Sequence, residues 1–231
     1  MSATSPGSGT LSDTQVRAMF DRIARVYDRM NSVMTAGMHH RWRERAAELA
    51  NVGPGSTALD VATGTGDLAI ELARRGAEVT GTDFAPAMLE IARRKAPGLR
   101  FEEGDALNLT YPHGSFDAAT VGFGARNFAD LDRGLAEMAR VVRPGGRVVV
   151  LEITTPTKPP LSWFFRAWFD RIVPQVGKLA DSDAYTYLPS SVRRFPGPAE
   201  LGSRMAAAGL VDVRWILTAG GIIAIHVGSR S

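Results

Sequence analysis

The sequence predicts an α/β fold, with helices on both faces of a mostly parallel, seven-stranded sheet, and three observations predict it. Strand and helix patterns alternate over residues 57–153. A glycine-rich turn, Gly64-Thr65-Gly66, joins the first strand pattern of this series to the first helix pattern. The chain ends in two strand patterns joined by Ala219-Gly220-Gly221, which predicts an antiparallel last strand.

The elements can be taken in chain order. Residues 1–12 are rich in serine, glycine and threonine, which predicts a disordered tail. Two amphipathic helix patterns follow, over residues 12–27 and 38–49. Seven strands are then predicted, at 57–61, 77–82, 99–103, 116–122, 147–153, 211–218 and 222–228. The helices among them are predicted at 67–75, 86–95, 130–142 and 198–208.

Two segments interrupt this alternation. Pro144-Gly145-Gly146 is predicted to end the preceding helix and to turn the chain into the next strand. Residues 156–196 form an aromatic-rich excursion with no strand pattern. We therefore expect residues 13–231 to form a single domain in which 156–196 is an insertion.

Composition excludes several classes of protein. With 231 residues, 45% of them hydrophobic, the chain can bury a full core. It has no cysteine, so disulfides and thiolate metal sites are excluded. The net charge is only +3, and the basic residues are scattered among acids, which argues against nucleic acid as a partner. No run of 18 apolar residues is present, so we expect a soluble, cytoplasmic protein.

The glycine-rich turn and the acids around it predict a nucleotide site. Gly64 and Gly66 allow a sharp turn and a close approach of a ligand to the backbone. Asp83, at the end of the second strand, is placed to accept hydrogen bonds from ribose hydroxyls. Residues 64–69 also satisfy a GxGxxA dinucleotide fingerprint, so an NAD-dependent oxidoreductase is one reading.

Asp60 favours a different cofactor. A carboxylate four residues before Gly64 would repel a pyrophosphate, but it suits the cationic sulfonium and ammonium groups of S-adenosylmethionine. The spacing D-x-A-x-G-x-G, which includes Thr63, resembles the first motif of S-adenosylmethionine-dependent methyltransferases. Asp105 and Ala106 follow the third strand, where a carboxylate and a backbone N–H can reach an adenine ring.

Three further segments carry a more specific resemblance. Residues 27–32 (YDRMNS), with His40 and Trp42 beyond them, resemble the N-terminal signature of the ubiquinone/menaquinone biosynthesis C-methyltransferases. Residues 140–146 (RVVRPGG) are similar to their second signature, and 122–127 (GFGARN) to their segment after the fourth strand. Many relatives carry serine where this chain has Gly122, so a side-chain contact with the cofactor is lost there.

The resemblance implies a Rossmann-like class I methyltransferase. It implies transfer of a methyl group from S-adenosylmethionine to a ring carbon of a polyprenyl quinol, either a menaquinone or a ubiquinone precursor. Arg126 and Asn127 are the first catalytic candidates, and Tyr27 and His40 the second. The alternative is O- or N-methylation of a soluble small molecule. No metal is expected, because the four histidines do not form a cluster in the sequence.

The resemblance also implies that the N-terminal helices, within residues 13–50, form a lid over the cofactor. Residues 159–173 combine tryptophan and phenylalanine with arginine, which predicts either a peripheral contact with the inner face of the cell membrane or packing within the protein. A homodimer through this segment is the other reading that the sequence leaves open.

Overall fold

The computed structural model describes residues 13–167 and 184–231. Two helices, α1 (Asp13–Thr35) and α2 (Met38–Ala50), precede the sheet. The strands are β1 (Thr57–Val61), β2 (Glu78–Asp83), β3 (Arg100–Glu103), β4 (Phe116–Gly122), β5 (Val142–Ile153), β6 (Leu210–Thr218) and β7 (Ile223–Arg230). The later helices are α3 (Asp67–Arg74), α4 (Pro86–Lys95), α5 (Leu131–Val141), α6 (Leu161–Ala167), α7 (Ala184–Arg194) and α8 (Pro198–Ala207).

The seven strands form one sheet in the order β3-β2-β1-β4-β5-β7-β6. Neighbours from β3 to β5 are parallel, whereas β7 runs antiparallel to both β5 and β6. The predicted fold class is therefore confirmed. The sequence runs outward from β1 in both directions, so the strand order reverses between β1 and β4, where α/β sheets bind their ligands.

Both faces of the sheet are buried, which explains the continuous apolar strands. Leu59 and Val150 point to the face covered by α5 and α8, and Ala58 and Val149 point to the face covered by α2, α3 and α4. Each strand thus needs apolar residues at successive positions, as expected for a parallel sheet between two helical layers.

Two predicted boundaries are wrong. The helix pattern of 12–27 continues to Thr35, because the apolar positions continue through Met30 and Met34 until Ala36 and Gly37 adopt positive φ angles. Pro144-Gly145-Gly146 is not a turn before a strand but a bulge within β5. Val142 pairs with Phe116 and Arg147 with Ala118, so three extra residues are accommodated on the β5 side.

The predicted tail at residues 1–12 lies outside the described residues, and so does the middle of the aromatic excursion, including Trp168. In the parts of that excursion that are described, α6 and α7 form. Within the described chain, no helix combines the length and the apolarity needed to cross a membrane.

Candidate active site

A polar cavity of about 530 Å³ lies at the carboxyl ends of β1, β2, β3 and β4. The turn after β1 forms one wall, through Thr63, Gly64 and Thr65. The segment after β3 and the segment after β4 form the others, and α1 covers the cavity through Phe20 and Tyr27. Among the predicted cofactor-binding residues, those that line it are Asp60, Thr63, Gly64, Asp83, Asp105, Ala106 and Gly122.

Asp60 is buried beneath this cavity and is held by two hydroxyl groups. Its carboxylate oxygens accept hydrogen bonds from Thr63 Oγ1 and Thr120 Oγ1, each at 2.6 Å. Burial raises the pKa of Asp60 to about 6, although both hydrogen bonds favour the charged form. The bond to Thr63 fixes the start of the glycine-rich turn, so Asp60 shapes the turn as well as supplying negative charge.

Asp83 links the end of β2 to the same turn. It accepts hydrogen bonds from the backbone N–H groups of Gly64 at 2.8 Å and Ala85 at 2.9 Å. Burial raises its pKa to about 6 as well. Asp105, by contrast, is exposed, and one of its oxygens accepts the Leu107 N–H at 2.8 Å in an Asx turn. Both acids keep lone pairs directed at the cavity wall that they form.

Gly66 does not line the cavity. Its φ of +84° places it in the left-handed region, and a Cβ there would lie 2.9 Å from Cζ of Phe101. Gly64 also has a positive φ, +57°, but a Cβ there would meet open space. The predicted contact of Gly66 with a cofactor is therefore corrected: this glycine allows the turn to pack on β3.

A second, apolar cavity of about 390 Å³ lies between α1, α2 and the ends of β5 and β7. Its walls carry methionine, phenylalanine, isoleucine and tryptophan side chains, among them Met30, Met34, Trp42, Phe165 and Ile222. Four residues line both cavities, namely Phe20, Tyr27, Arg43 and Phe123. The two cavities therefore meet, and a ligand in one would contact a ligand in the other.

Arg126 supplies a buried positive charge to the apolar cavity. Its Nη1 donates to Glu152 Oε1 at 2.7 Å, and the two side chains are only 8% and 2% exposed. Burial alone would lower the pKa of Arg126, but the Glu152 carboxylate outweighs this effect and raises it. The Nε atom of Arg126 is buried and has no hydrogen-bond partner among the described residues. It is therefore available to a polar atom of a ligand.

Arg126 and Asn127 point into different cavities, although the sequence placed them at one mouth. Arg126 lines the apolar cavity and Asn127 the polar one, where Asn127 Oδ1 accepts the Tyr187 hydroxyl at 3.1 Å. Tyr27 lies where the cavities meet, as a catalytic role would require.

His40 lies outside both cavities, on an exposed surface beside Arg41 and Glu44, so its candidacy is corrected. The neighbouring His39 lines the apolar cavity instead. Arg43 donates to His39 Nδ1, so His39 carries its proton on Nε2 and donates it to Ser32 Oγ at 3.1 Å. Burial, followed by the charge of Arg43, lowers the pKa of His39 to about 4.

Arg43 stands between the cavities. It pairs with Asp67 at 3.5 Å, and its guanidinium lies 5.3 Å from the centroid of the Phe123 ring. Phe123 itself has a φ of +61°, an unusual value for a bulky residue, and this backbone turn brings its ring between the cavities.

Polar contacts fasten α1 over the polar cavity. Asp28 accepts hydrogen bonds from Thr65 Oγ1 at 2.6 Å and Lys95 Nζ at 2.9 Å, and Lys95 also pairs with Asp67. Near the other end of the helix, Asp21 accepts the Ala87 N–H, at the start of α4, at 3.1 Å. Both ends of the covering helix are thus tied to elements of the cofactor half of the site.

Sequence reasoning missed Glu152, His39 and Arg43. Glu152 could have been found, because it ends β5 at the same edge of the sheet as Asp60 and Asp83. For His39 and Arg43 the signal is weaker: they are four residues apart and share one face of α2. No group of three or more potential metal ligands occurs in the part of the chain that is described.

Comparisons with known proteins agree with this geometry. The profile of the ubiE/COQ5 methyltransferase family matches residues 9–230. The chain is 50% identical over 220 residues to the demethylmenaquinone methyltransferase of Thermus thermophilus, covering 92% of this chain and 100% of the relative. It is 47% identical over 223 residues to the enzyme of that name from Deinococcus radiodurans, covering 93% and 92%.

Solved structures support the fold. A SAM-dependent methyltransferase from Thermotoga maritima superposes with a TM-score of 0.67 at 19% identity, covering 93% of this chain and 99% of the other. The [4+2]-cyclase SpnF gives 0.70 at 20% identity, covering 95% and 96%. The family match over nearly the whole chain, together with the acid-lined turn and its sheet, shows that the chain belongs to the ubiE/COQ5 methyltransferase family.

Proposed function

We propose that the protein transfers a methyl group from S-adenosylmethionine to a ring carbon of a polyprenyl hydroquinone, with demethylmenaquinol as the first candidate. The observation that carries the proposal is the junction of an acid-lined polar cavity with an apolar cavity at Phe20, Tyr27, Arg43 and Phe123. The names of the relatives in Thermus thermophilus and Deinococcus radiodurans support the same substrate.

The residues of the polar cavity fit S-adenosylmethionine. Asp83 would accept hydrogen bonds from the ribose hydroxyls, since its two backbone bonds leave lone pairs free. Asp105 and Ala106 would contact the adenine ring. Asp60, with Thr63 and Gly64, would form the part of the wall near the amino acid portion, and Gly122 leaves room beside Leu68. A pyrophosphate would meet these carboxylates unfavourably.

The apolar cavity fits the quinol. Its methionine, isoleucine and phenylalanine side chains would surround the ring and the first part of an isoprenoid chain. A soluble, polar acceptor would bury its polar groups there without partners, at a cost in free energy. The buried guanidinium of Arg126 is the matching partner for one polar atom, the ring hydroxyl, through its unpartnered Nε.

The chemistry needs an electron-rich ring carbon. Bound S-adenosylmethionine supplies an electrophilic methyl group: a bond forms from the ring carbon to this methyl, and the bond from methyl to sulfur breaks. Arg126 stabilises the negative charge that develops on the ring oxygen as its proton leaves, and Glu152 holds Arg126 in place. The proton on the methylated carbon then leaves, which restores the aromatic ring. Tyr27 and α1 exclude water from the junction.

Turnover with labelled S-adenosylmethionine and a short-chain demethylmenaquinol tests the proposal, with the oxidised quinone and a demethylated ubiquinol as comparisons. We expect label on the ring carbon only with reduced substrate. Arg126→Ala should lower kcat about 10²-fold or more and leave the Kd for S-adenosylmethionine nearly unchanged. A protein that binds S-adenosylmethionine but methylates no quinol would contradict the substrate and redirect the search to soluble phenols and amines.

The segment 159–173 contributes to the substrate side of this proposal. Phe165 is buried and lines the apolar cavity, whereas Trp163 is exposed. We propose that this segment guides the isoprenoid chain, with Trp163 at its outer surface. Trp163→Ser should then weaken flotation with vesicles, and an unchanged bound fraction would count against the contact. Sedimentation velocity, with the same variant, tests whether the segment instead forms a homodimer.

A further inference from the structure

The exposed side of α1 has an unusual separation of charge. Its exposed residues, among those whose side chains are described, are Thr14, Gln15, Ala18, Arg22, Arg29, Val33 and Ala36. At 3.6 residues per turn they fall within one stripe about 100° wide. We call this stripe the outer face of α1. It carries arginine, apolar and small polar residues.

The acidic residues of the helix lie elsewhere. Asp21 and Asp28 turn toward the protein, where Asp21 accepts the Ala87 N–H and Asp28 pairs with Lys95. No acid with a described side chain reaches the outer face. The stripe therefore presents positive charge to the solvent without acidic residues of α1 to offset it.

The opposite side of the same helix lines the apolar cavity. Met19, Ile23, Tyr27, Met30 and Met34 face inward. The outer face ends next to Met38, and of the described residues that line the apolar cavity, only Met38 is more than a third exposed, at 46%. Val33, 83% exposed, lies on the outer face one turn and a half earlier. Exposed apolar side chains thus mark the place where the cavity opens.

We propose that the outer face of α1, together with Met38, docks on a bilayer that contains anionic phospholipid. The arginines match the negative headgroups, and Val33 and Met38 enter the boundary between headgroups and acyl chains. An isoprenoid chain then passes from the bilayer into the apolar cavity at Met38 without crossing water. This docking deepens the proposed function, since it rests on a substrate that is dissolved in the membrane.

Vesicle sedimentation tests the docking separately from the chemistry. Vesicles of phosphatidylcholine with and without 30% phosphatidylglycerol provide the two surfaces. We expect binding to the anionic vesicles, weakened about fivefold by Arg29→Gln and about 25-fold by Arg22→Gln/Arg29→Gln. The matched control, Arg143→Gln/Arg214→Gln, loses the same charge from exposed positions near the start of β5 and on β6 and should bind as the wild type does.

A second pair of variants tests the apolar contact. Val33→Asp should weaken binding more than Arg29→Gln does, and Val211→Asp, 46% exposed at the start of β6, should have no effect. Thermal unfolding confirms that each variant is folded. Equal binding to neutral and anionic vesicles, no binding of the wild type, or an α1-dependent dimer in place of vesicle binding would each overturn the proposal.

Activity distinguishes failure of the docking from failure of the proposed function. With a short-chain quinol in detergent, Arg22→Gln/Arg29→Gln should turn over as the wild type does, and only turnover of a long-chain quinol embedded in anionic vesicles should fall. If no quinol is methylated, the proposed substrate is wrong, while the vesicle binding still decides whether α1 docks.

Discussion

Replacing Glu152 by glutamine tests how far the buried ion pair supports both stability and catalysis. Glu152 accepts bonds from Arg126 Nη1 at 2.7 Å, the Arg126 N–H at 3.3 Å and the Ile153 N–H at 2.8 Å. Glutamine keeps the shape but loses the charge, so the guanidinium of Arg126 stays buried without a counter-ion. Removing one partner of such a pair costs about 3–5 kcal/mol.

Chemical denaturation measures this loss, and an exposed pair supplies the control. Glu200 and Arg204 form an i,i+4 pair on α8 with side chains 58% and 38% exposed. Glu200→Gln should therefore change the free energy of unfolding by less than about 1 kcal/mol. If Glu152→Gln costs no more than this control, then Arg126 does not depend on Glu152 for its charge balance.

Kinetics separates the positioning role from stability. Glu152→Gln should lower kcat about 10²-fold with little change in the Kd for S-adenosylmethionine, because Arg126 is no longer held toward the ring oxygen. The double variant Arg126→Met/Glu152→Leu removes both charges, so it should recover most of the stability but none of the turnover. Recovery of turnover in this variant would refute the role of the pair in the reaction.

Three further predictions follow from the backbone and the covering helix. Gly66→Ala should destabilise the fold by about 2–4 kcal/mol in denaturation, because it adds a steric overlap to a positive φ, whereas Gly64→Ala, with open space, should cost about 1 kcal/mol; equal losses would contradict this. Asp28→Asn should loosen α1, seen as faster limited proteolysis of the helix and a raised Kd for S-adenosylmethionine, and unchanged values would exclude a latch. His39, whose pKa is lowered to about 4, should stay neutral with its proton on Nε2 down to about pH 5 in ¹⁵N NMR; its contribution to stability is lost as pH falls from about 6.5 to 4, since the unfolded chain protonates first, and titration near 6.5 would refute the assignment.

Much of the cofactor half could be predicted from the sequence, because local patterns fix it. Asp60 and Asp83 each end a strand, and parallel strands bring their carboxyl ends to one edge of the sheet. Their partners could not be predicted. The bond from Asp60 to Thr120, for example, joins residues 60 positions apart, and only the pairing of β1 with β4 brings them together.

The substrate half was harder to predict, since it depends on which side of a helix faces inward. His39 and His40 are adjacent and chemically the same, yet one lines the apolar cavity and the other is exposed. A shift of 100° around α2 separates them. The sequence pattern alone placed the site on the wrong histidine, because the contact that selects His39, its bond with Arg43, belongs to the folded helix.

The covering helix α1 explains how one chain can bring a charged methyl donor to a substrate from a lipid phase. Its inner side supplies the apolar wall that a quinol ring needs, and Asp21 and Asp28 on its flank bind the helix to α4 and the glycine-rich turn. Because these acids are used inside the protein, the outer face is left cationic. The contacts that close the cofactor cavity are therefore the same ones that give α1 its separation of charge. Loosening Asp28 should then impair cofactor binding and vesicle binding together, whereas loss of Arg29 should impair vesicle binding alone.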